Sequence, residues 1–109
     1  MAHKMIAVAD DVIHNLLIKR IATFAILKCN NIRVGYHYCQ EARDCINVLC
    51  STSGLNRTTV IRLVMYEIRR VSNLKIQVPI FDYGIERPEL AKRVTVKSLH
   101  RVMFKLMGW

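Results

Sequence analysis

The sequence predicts a mainly α protein with one short strand. Apolar residues recur at three- and four-residue spacing through long stretches, and the clearest period-two alternation is confined to seven residues. Only four Gly and two Pro are present to interrupt the elements. At 109 residues the chain is sized for one domain with a modest core, and its 52% apolar content excludes a disordered basic tail. A formal net charge of +9, from 17 Lys and Arg against 8 Asp and Glu, points to an anionic partner. Nucleic acid is the first candidate and an acidic membrane surface the second.

Residues 1–31 form the first unit, an N-terminal amphipathic helix. Ile6, Ala9, Ile13, Leu16, Leu17, Phe24 and Leu27 recur at helical spacing, while Asp10, Asp11, His14, Lys19 and Lys28 fall mainly elsewhere on the wheel. A break near Lys19 is compatible with the pattern. Asn30-Asn31 is the expected stop, because Asn tolerates the left-handed conformation at a helix end. The uncharged runs Val12 to Ile18 and Ile21 to Leu27 are split by Lys19-Arg20 and fall far short of the roughly 20 residues that span a bilayer. Asp10-Asp11 also interrupts the pattern of a secretory or mitochondrial leader. No stable membrane insertion is expected, and the expected location is the cytoplasm of a bacterial, archaeal or virus-infected cell, or its nucleoid.

Residues 32–74 form the second unit. Val34, Tyr36 and Tyr38 alternate with Arg33, Gly35 and His37, which predicts a strand over Ile32 to Tyr38. From Gln40, the spacing of Ala42, Cys45, Ile46 and Leu49 predicts a helix, stopped at Ser51-Thr52-Ser53-Gly54 with Gly54 as a left-handed cap. Asn56 then caps a second helix with an apolar face of Val60, Ile61, Val64, Met65 and Ile68. Arg57, Arg62, Arg69 and Arg70 lie mostly off that face.

Residues 75–109 form the third unit. IQVPIFDYG reads as extended, since Pro79 does not fit a helix interior. Pro88 suits the first turn of a last helix, Glu89 to about Met107, with an apolar stripe of Leu90, Val94, Leu99, Val102, Met103 and Leu106. Arg93, Lys97, Arg101 and Lys105 recur every fourth residue on another face, with no acid after Glu89. They form a secondary basic stripe suited to phosphate.

The segment from Ile32 to about Val71 resembles the ribbon-helix-helix DNA-binding family of the Arc, MetJ and CopG type. The resemblance is carried by a strand, a helix, a Gly turn and a helix within some 40 residues, and most specifically by GLNRTTVIRLVMYEI, with Gly54, Leu55, Asn56 and the Ile61-Arg62 pair. It implies a ribbon-helix-helix-like core with N- and C-terminal helical extensions. It further implies a homodimer or higher oligomer whose antiparallel two-stranded ribbon enters the major groove of double-stranded DNA. Arg33, Gly35 and His37 would then face base edges, and Asn56, Arg57, Thr58 and Thr59 would hold a backbone phosphate at a helix N-terminus. Gly35 departs from the family, which places a polar side chain there. Such a protein would regulate transcription or mark a plasmid or phage site.

The same residues also read as a helix-turn-helix, with Gly54 in the turn, Val60 and Leu63 buried, and Arg57, Thr58, Thr59 and Arg62 entering the groove. A strand at residues 32–38 favours the ribbon and a loop favours the helix-turn-helix. Other classes are a small basic subunit of a ribonucleoprotein assembly and a membrane-surface protein using residues 93–105 as a basic amphipathic helix. Cys29, Cys39, Cys45 and Cys50 form no CxxC and fit no usual zinc spacing, so reduced thiols are expected, with Cys45 and Cys50 packing as small apolar residues. No GxSxG, Walker loop, GxGxxG or HExxH is present, and an enzyme, a cofactor or a metal is not expected.

Overall fold

The computed structural model describes residues 2–73 and 89–109, with side chains from residue 12 onward. The extended reading of IQVPIFDYG and the placement of Pro88 lie outside the described residues, as do the side chains of Ile6 and Ala9. The described chain forms five helices: α1 (Ala2–Cys29), α2 (Tyr36–Ser53), α3 (Arg57–Ser72), α4 (Glu89–Lys92) and α5 (Val96–Met107).

α1 is the axis of the fold, and it runs unbroken through Lys19. Every residue from Ile21 to Leu27 is buried. A helix that is apolar all round is enclosed by neighbours, and α2, α3 and α5 all pack on α1. The one polar member of that run, Thr23, donates its hydroxyl to the Lys19 carbonyl at 2.9 Å, so its burial leaves no unmet donor. Phe24 and Leu27 are buried as expected. Ile13 and Leu16, expected on the buried face, stand 51% and 54% exposed beside Val12. Among the described side chains, the single apolar stripe read from the sequence is therefore largely exposed over residues 12–16 and fully enclosed from Ile21 to Leu27. Asn30-Asn31 does end the helix: Asn31 has φ 60°, and the Ile32 N–H donates back to the Leu27 carbonyl at 3.0 Å. The Asn30 side-chain amide donates to Ile26 O at 2.7 Å and to Leu90 O at 2.9 Å, which ties α1 to α4.

The expected strand over Ile32 to Tyr38 does not form, and no strand occurs among the described residues. Ile32 to Gly35 is a loop, and α2 begins at Tyr36, four residues before the expected start at Gln40. Gly35 is the N-cap at φ −67°, ψ 162°, and its carbonyl accepts from the Tyr38 and Cys39 amides. The cause is tertiary. Alternation makes a strand only where one side is buried against a sheet or a partner. Here Val34 packs on the core, whereas Tyr36 is 72% exposed and Tyr38 is also exposed. The aromatic residues thus occupy a solvent-facing first helical turn, where the helix periodicity of Ala42, Cys45, Ile46 and Leu49, all buried, extends backward.

α2 ends at Gly54, which is left-handed (φ 68°, ψ 17°) and donates its N–H to the Leu49 carbonyl. Two residues later the Asn56 side chain accepts from the Thr59 N–H at 2.9 Å and starts α3. Val60, Val64, Ile68 and Val71 bury one face of α3, with Ile61, Leu63 and Met65 half-buried beside it. The expected single C-terminal helix is instead two. The chain turns at Arg93–Thr95 after the short α4, with Val94 buried, and restarts through a reciprocal cap. Thr95 Oγ1 accepts from the Ser98 N–H at 3.0 Å, and Ser98 Oγ accepts from the Thr95 N–H at 2.9 Å. Leu99, Met103 and Leu106 of α5 complete the core as expected. All four cysteines are unpaired; Cys45 is buried and Cys50 half-buried. Among the described residues no helix is long and apolar enough to cross a membrane.

Candidate nucleic-acid interface

The helical starts and stops around Gly54 decide what α3 presents. Asn56 uses its side chain on Thr59, so it is a cap rather than a free phosphate ligand. The first N–H groups of a helix have no intrahelical acceptor. At α3 they belong to a turn whose Arg57 and Thr58 are exposed, while Thr59 is half-buried. The outer face then continues at helical spacing as Arg62, Tyr66 and Arg69, with Tyr66 71% exposed between the two guanidinium groups. The sequence reading separated these basic residues from the apolar face but passed over Tyr66. The signal was available in the i, i+4, i+8, i+11 spacing from Thr58 to Arg69.

Charge on this face is unbalanced. The one acid of α3, Glu67, is engaged by Arg70, whose Nε lies 3.1 Å from each carboxylate oxygen. That carboxylate is the main reason the Arg70 pKa is raised further above its ordinary value. Arg57, Arg62 and Arg69 form no ion pair among the described residues. Behind them, a groove of about 420 Å³ separates Arg57, Thr58 and Arg62 of α3 from Val96 and His100 of α5 and from Trp109.

The other expected contact residues are dispersed. Gly35 caps α2 and has no side chain to read a base. His37 is exposed in the first turn of α2, its ring edge-on to Tyr36 with centroids 6.2 Å apart. Arg33 stands on the α1–α2 loop, not on a ribbon. The trio Arg33, Gly35 and His37 is therefore corrected: without a strand, its members do not share one face at period two. The basic stripe is also divided. Arg93 lies in the turn between α4 and α5, Lys97 is exposed on α5, and Arg101 and Lys105 converge with Lys28 and Arg33 around a separate cleft.

No family model, curated protein or solved structure matches the chain.

Proposed function

We infer that the protein binds double-stranded DNA through a helix-turn-helix unit formed by α2, the Gly54–Asn56 turn and α3. The observation that carries this reading is the α3 surface: a capped, solvent-facing N-terminus continued by Arg57, Thr58, Arg62, Tyr66 and Arg69 without a free carboxylate. In a helix-turn-helix the second helix lies in the major groove and presents its N-terminal residues to base edges. Arg57 and Arg62 suit guanine, whose O6 and N7 accept a guanidinium fork, and Thr58 suits phosphate or a base edge. Val60, buried in the core on the side of α3 away from Thr58 and Arg62, seats the helix so that those two side chains are held outward. A loop and the start of α2 at residues 32–38, in place of a strand, favour the helix over a ribbon as the reading element.

Two copies would be needed for a palindromic site, with half-sites roughly 34–36 Å apart. Val12, Ile13 and Leu16, exposed together on α1, supply an apolar face through which two copies would pair.

Fluorescence anisotropy with a labelled duplex, repeated across a salt series, tests the reading. About three neutralised phosphates per copy give a log–log slope near −3. Arg57→Ala combined with Arg62→Ala should lower affinity by at least tenfold. A salt-independent signal, or a double variant that binds as wild type does, overturns the assignment.

A further inference from the structure

A second basic surface lies apart from α3. Lys28 at the end of α1, Arg33 on the following loop, and Arg101 and Lys105 on α5 line one concave cleft of about 380 Å³. Three separate segments thus bring four positive charges together, and no acid lines the cleft. None of the four forms an ion pair among the described residues. Arg101 and Lys105 sit at i, i+4, where like charges repel. Lys28 and Lys105 also line the adjoining hollow, where Arg43 donates to the Leu106 carbonyl at 3.1 Å. The cleft floor adds no negative charge: burial pushes the Cys29 thiol pKa up, against the smaller downward pulls of its Ser98 hydrogen bond and the Arg101 charge.

We propose that this cleft binds a compact oligophosphate, two or more adjacent phosphates of the kind carried by a nucleotide di- or triphosphate. Convergence and concavity carry the argument. A duplex presents its phosphates singly along a convex surface, with neighbours on one strand separated by a sugar. Four converging cations in a closed-in space match several charges on one small anion. Arg33 and Arg101 provide planar forks for paired phosphate oxygens, and Lys28 and Lys105 provide point charges. An anion in the cleft also relieves the mutual repulsion of the four cations, and binding to the folded state stabilises it by an amount that grows with the logarithm of ligand concentration above Kd. The site shares no lining residue with the α3–α5 groove and does not depend on the DNA-binding reading.

Inorganic pyrophosphate is the probe, titrated calorimetrically into the full chain and followed in parallel by thermal melting against sodium chloride of equal ionic strength. Saturable binding and a rise in Tm beyond the chloride control are expected. Arg101→Gln combined with Lys105→Gln should weaken pyrophosphate at least tenfold while leaving far-UV circular dichroism unchanged, since both side chains are exposed. Arg93→Gln combined with Lys97→Gln removes the same charge outside the cleft and should retain wild-type affinity. Orthophosphate should bind more weakly than pyrophosphate. The proposal is overturned by absent pyrophosphate binding, by equal losses in both double variants, or by an Arg101/Lys105 effect confined to duplex DNA. The last outcome would assign the cleft to the phosphodiester backbone.

Discussion

Replacing Gly54 and Gly35 by Ser, one at a time, should move stability in opposite directions. An added Cβ meets nothing within 4 Å at either position, so steric contact contributes at neither. Both substitutions restrict the unfolded chain equally, which stabilises the fold by about 0.4–1 kcal/mol. The folded states differ. Gly54 has φ 68° and ψ 17°, a region that costs a residue with a side chain about 1–2 kcal/mol. The net for Gly54→Ser is a loss of roughly 1 kcal/mol. Gly35 sits at φ −67°, ψ 162°, ordinary extended backbone, and caps α2 without a side-chain hydrogen bond. A Ser hydroxyl there can accept from the first turn, which adds a few tenths of a kcal/mol over Gly. Gly35→Ser should therefore gain roughly 1 kcal/mol.

At about 4 °C per kcal/mol for a domain of this size, the two variants should melt some 8 °C apart, on either side of wild type. Far-UV circular dichroism during heating and urea titration measures this, with the urea slope unchanged. Shifts in the same direction and of similar size would refute the left-handed turn at Gly54. The junction between α2 and α3 would then need another explanation, and the proposed DNA-reading unit would lose its hinge.

Asn56→Ala removes the acceptor for the Thr59 N–H and should cost about 1 kcal/mol, whereas Asn56→Asp keeps the cap but weakens DNA binding by placing a carboxylate beside Arg57; a urea melt and an anisotropy titration separate the two effects. Ile46→Ala, at a fully buried site on α2, should cost about 2–5 kcal/mol, and a loss under ~1 kcal/mol in the same urea assay would mean that α2 is not seated in the core. Burial raises the Cys45 thiol pKa above its ordinary 9.0, so the folded chain holds that proton more tightly than the unfolded chain. That contribution is fully present below about pH 9 and is lost as pH rises through the folded value, so Cys45→Ala should show a smaller alkaline decline in urea midpoint than wild type. Glu41→Gln breaks the 2.9 Å pair with Arg20 that links α1 and α2, but both side chains are more than a third exposed, and the cost in the same assay should stay below ~1 kcal/mol.

Much of the helical framework was legible because it rests on local rules. The left-handed Asn31, the Gly54 cap, the Asn56 side-chain cap and the buried periodicities of α2, α3 and α5 each follow from residue type and spacing. The failures share a non-local cause. Seven alternating residues suggest a strand, but whether Tyr36 and Tyr38 find a surface to bury against depends on tertiary packing, and both are exposed. The division of the last helix was nearer to hand: Thr95 and Ser98 have capping-box spacing, though with Ser where Glu or Gln is usual. Of the candidate site, Arg57, Thr58 and Arg62 were legible as the helix-turn-helix alternative. The meeting of Arg33 with Lys28, Arg101 and Lys105 was not, because only packing brings loop, α1 and α5 together.

That packing also explains how one short basic helix can border two different surfaces. α5 has twelve residues, and its Leu99, Met103 and Leu106 are committed to the core. With 3.6 residues per turn, Val96 and His100 fall to one side of that buried line and Arg101 and Lys105 to the other. The first pair faces the groove beside α3, and the second faces the cleft beside α1. A four-residue basic repeat therefore does not make one electrostatic surface: Arg93 precedes the helix, Lys97 lines neither recess, and the remaining two acquire their partners from 60 or more residues away in the chain. The separation across α5 gives two recesses with no lining residue in common, so the side chains of each can be replaced without touching the other.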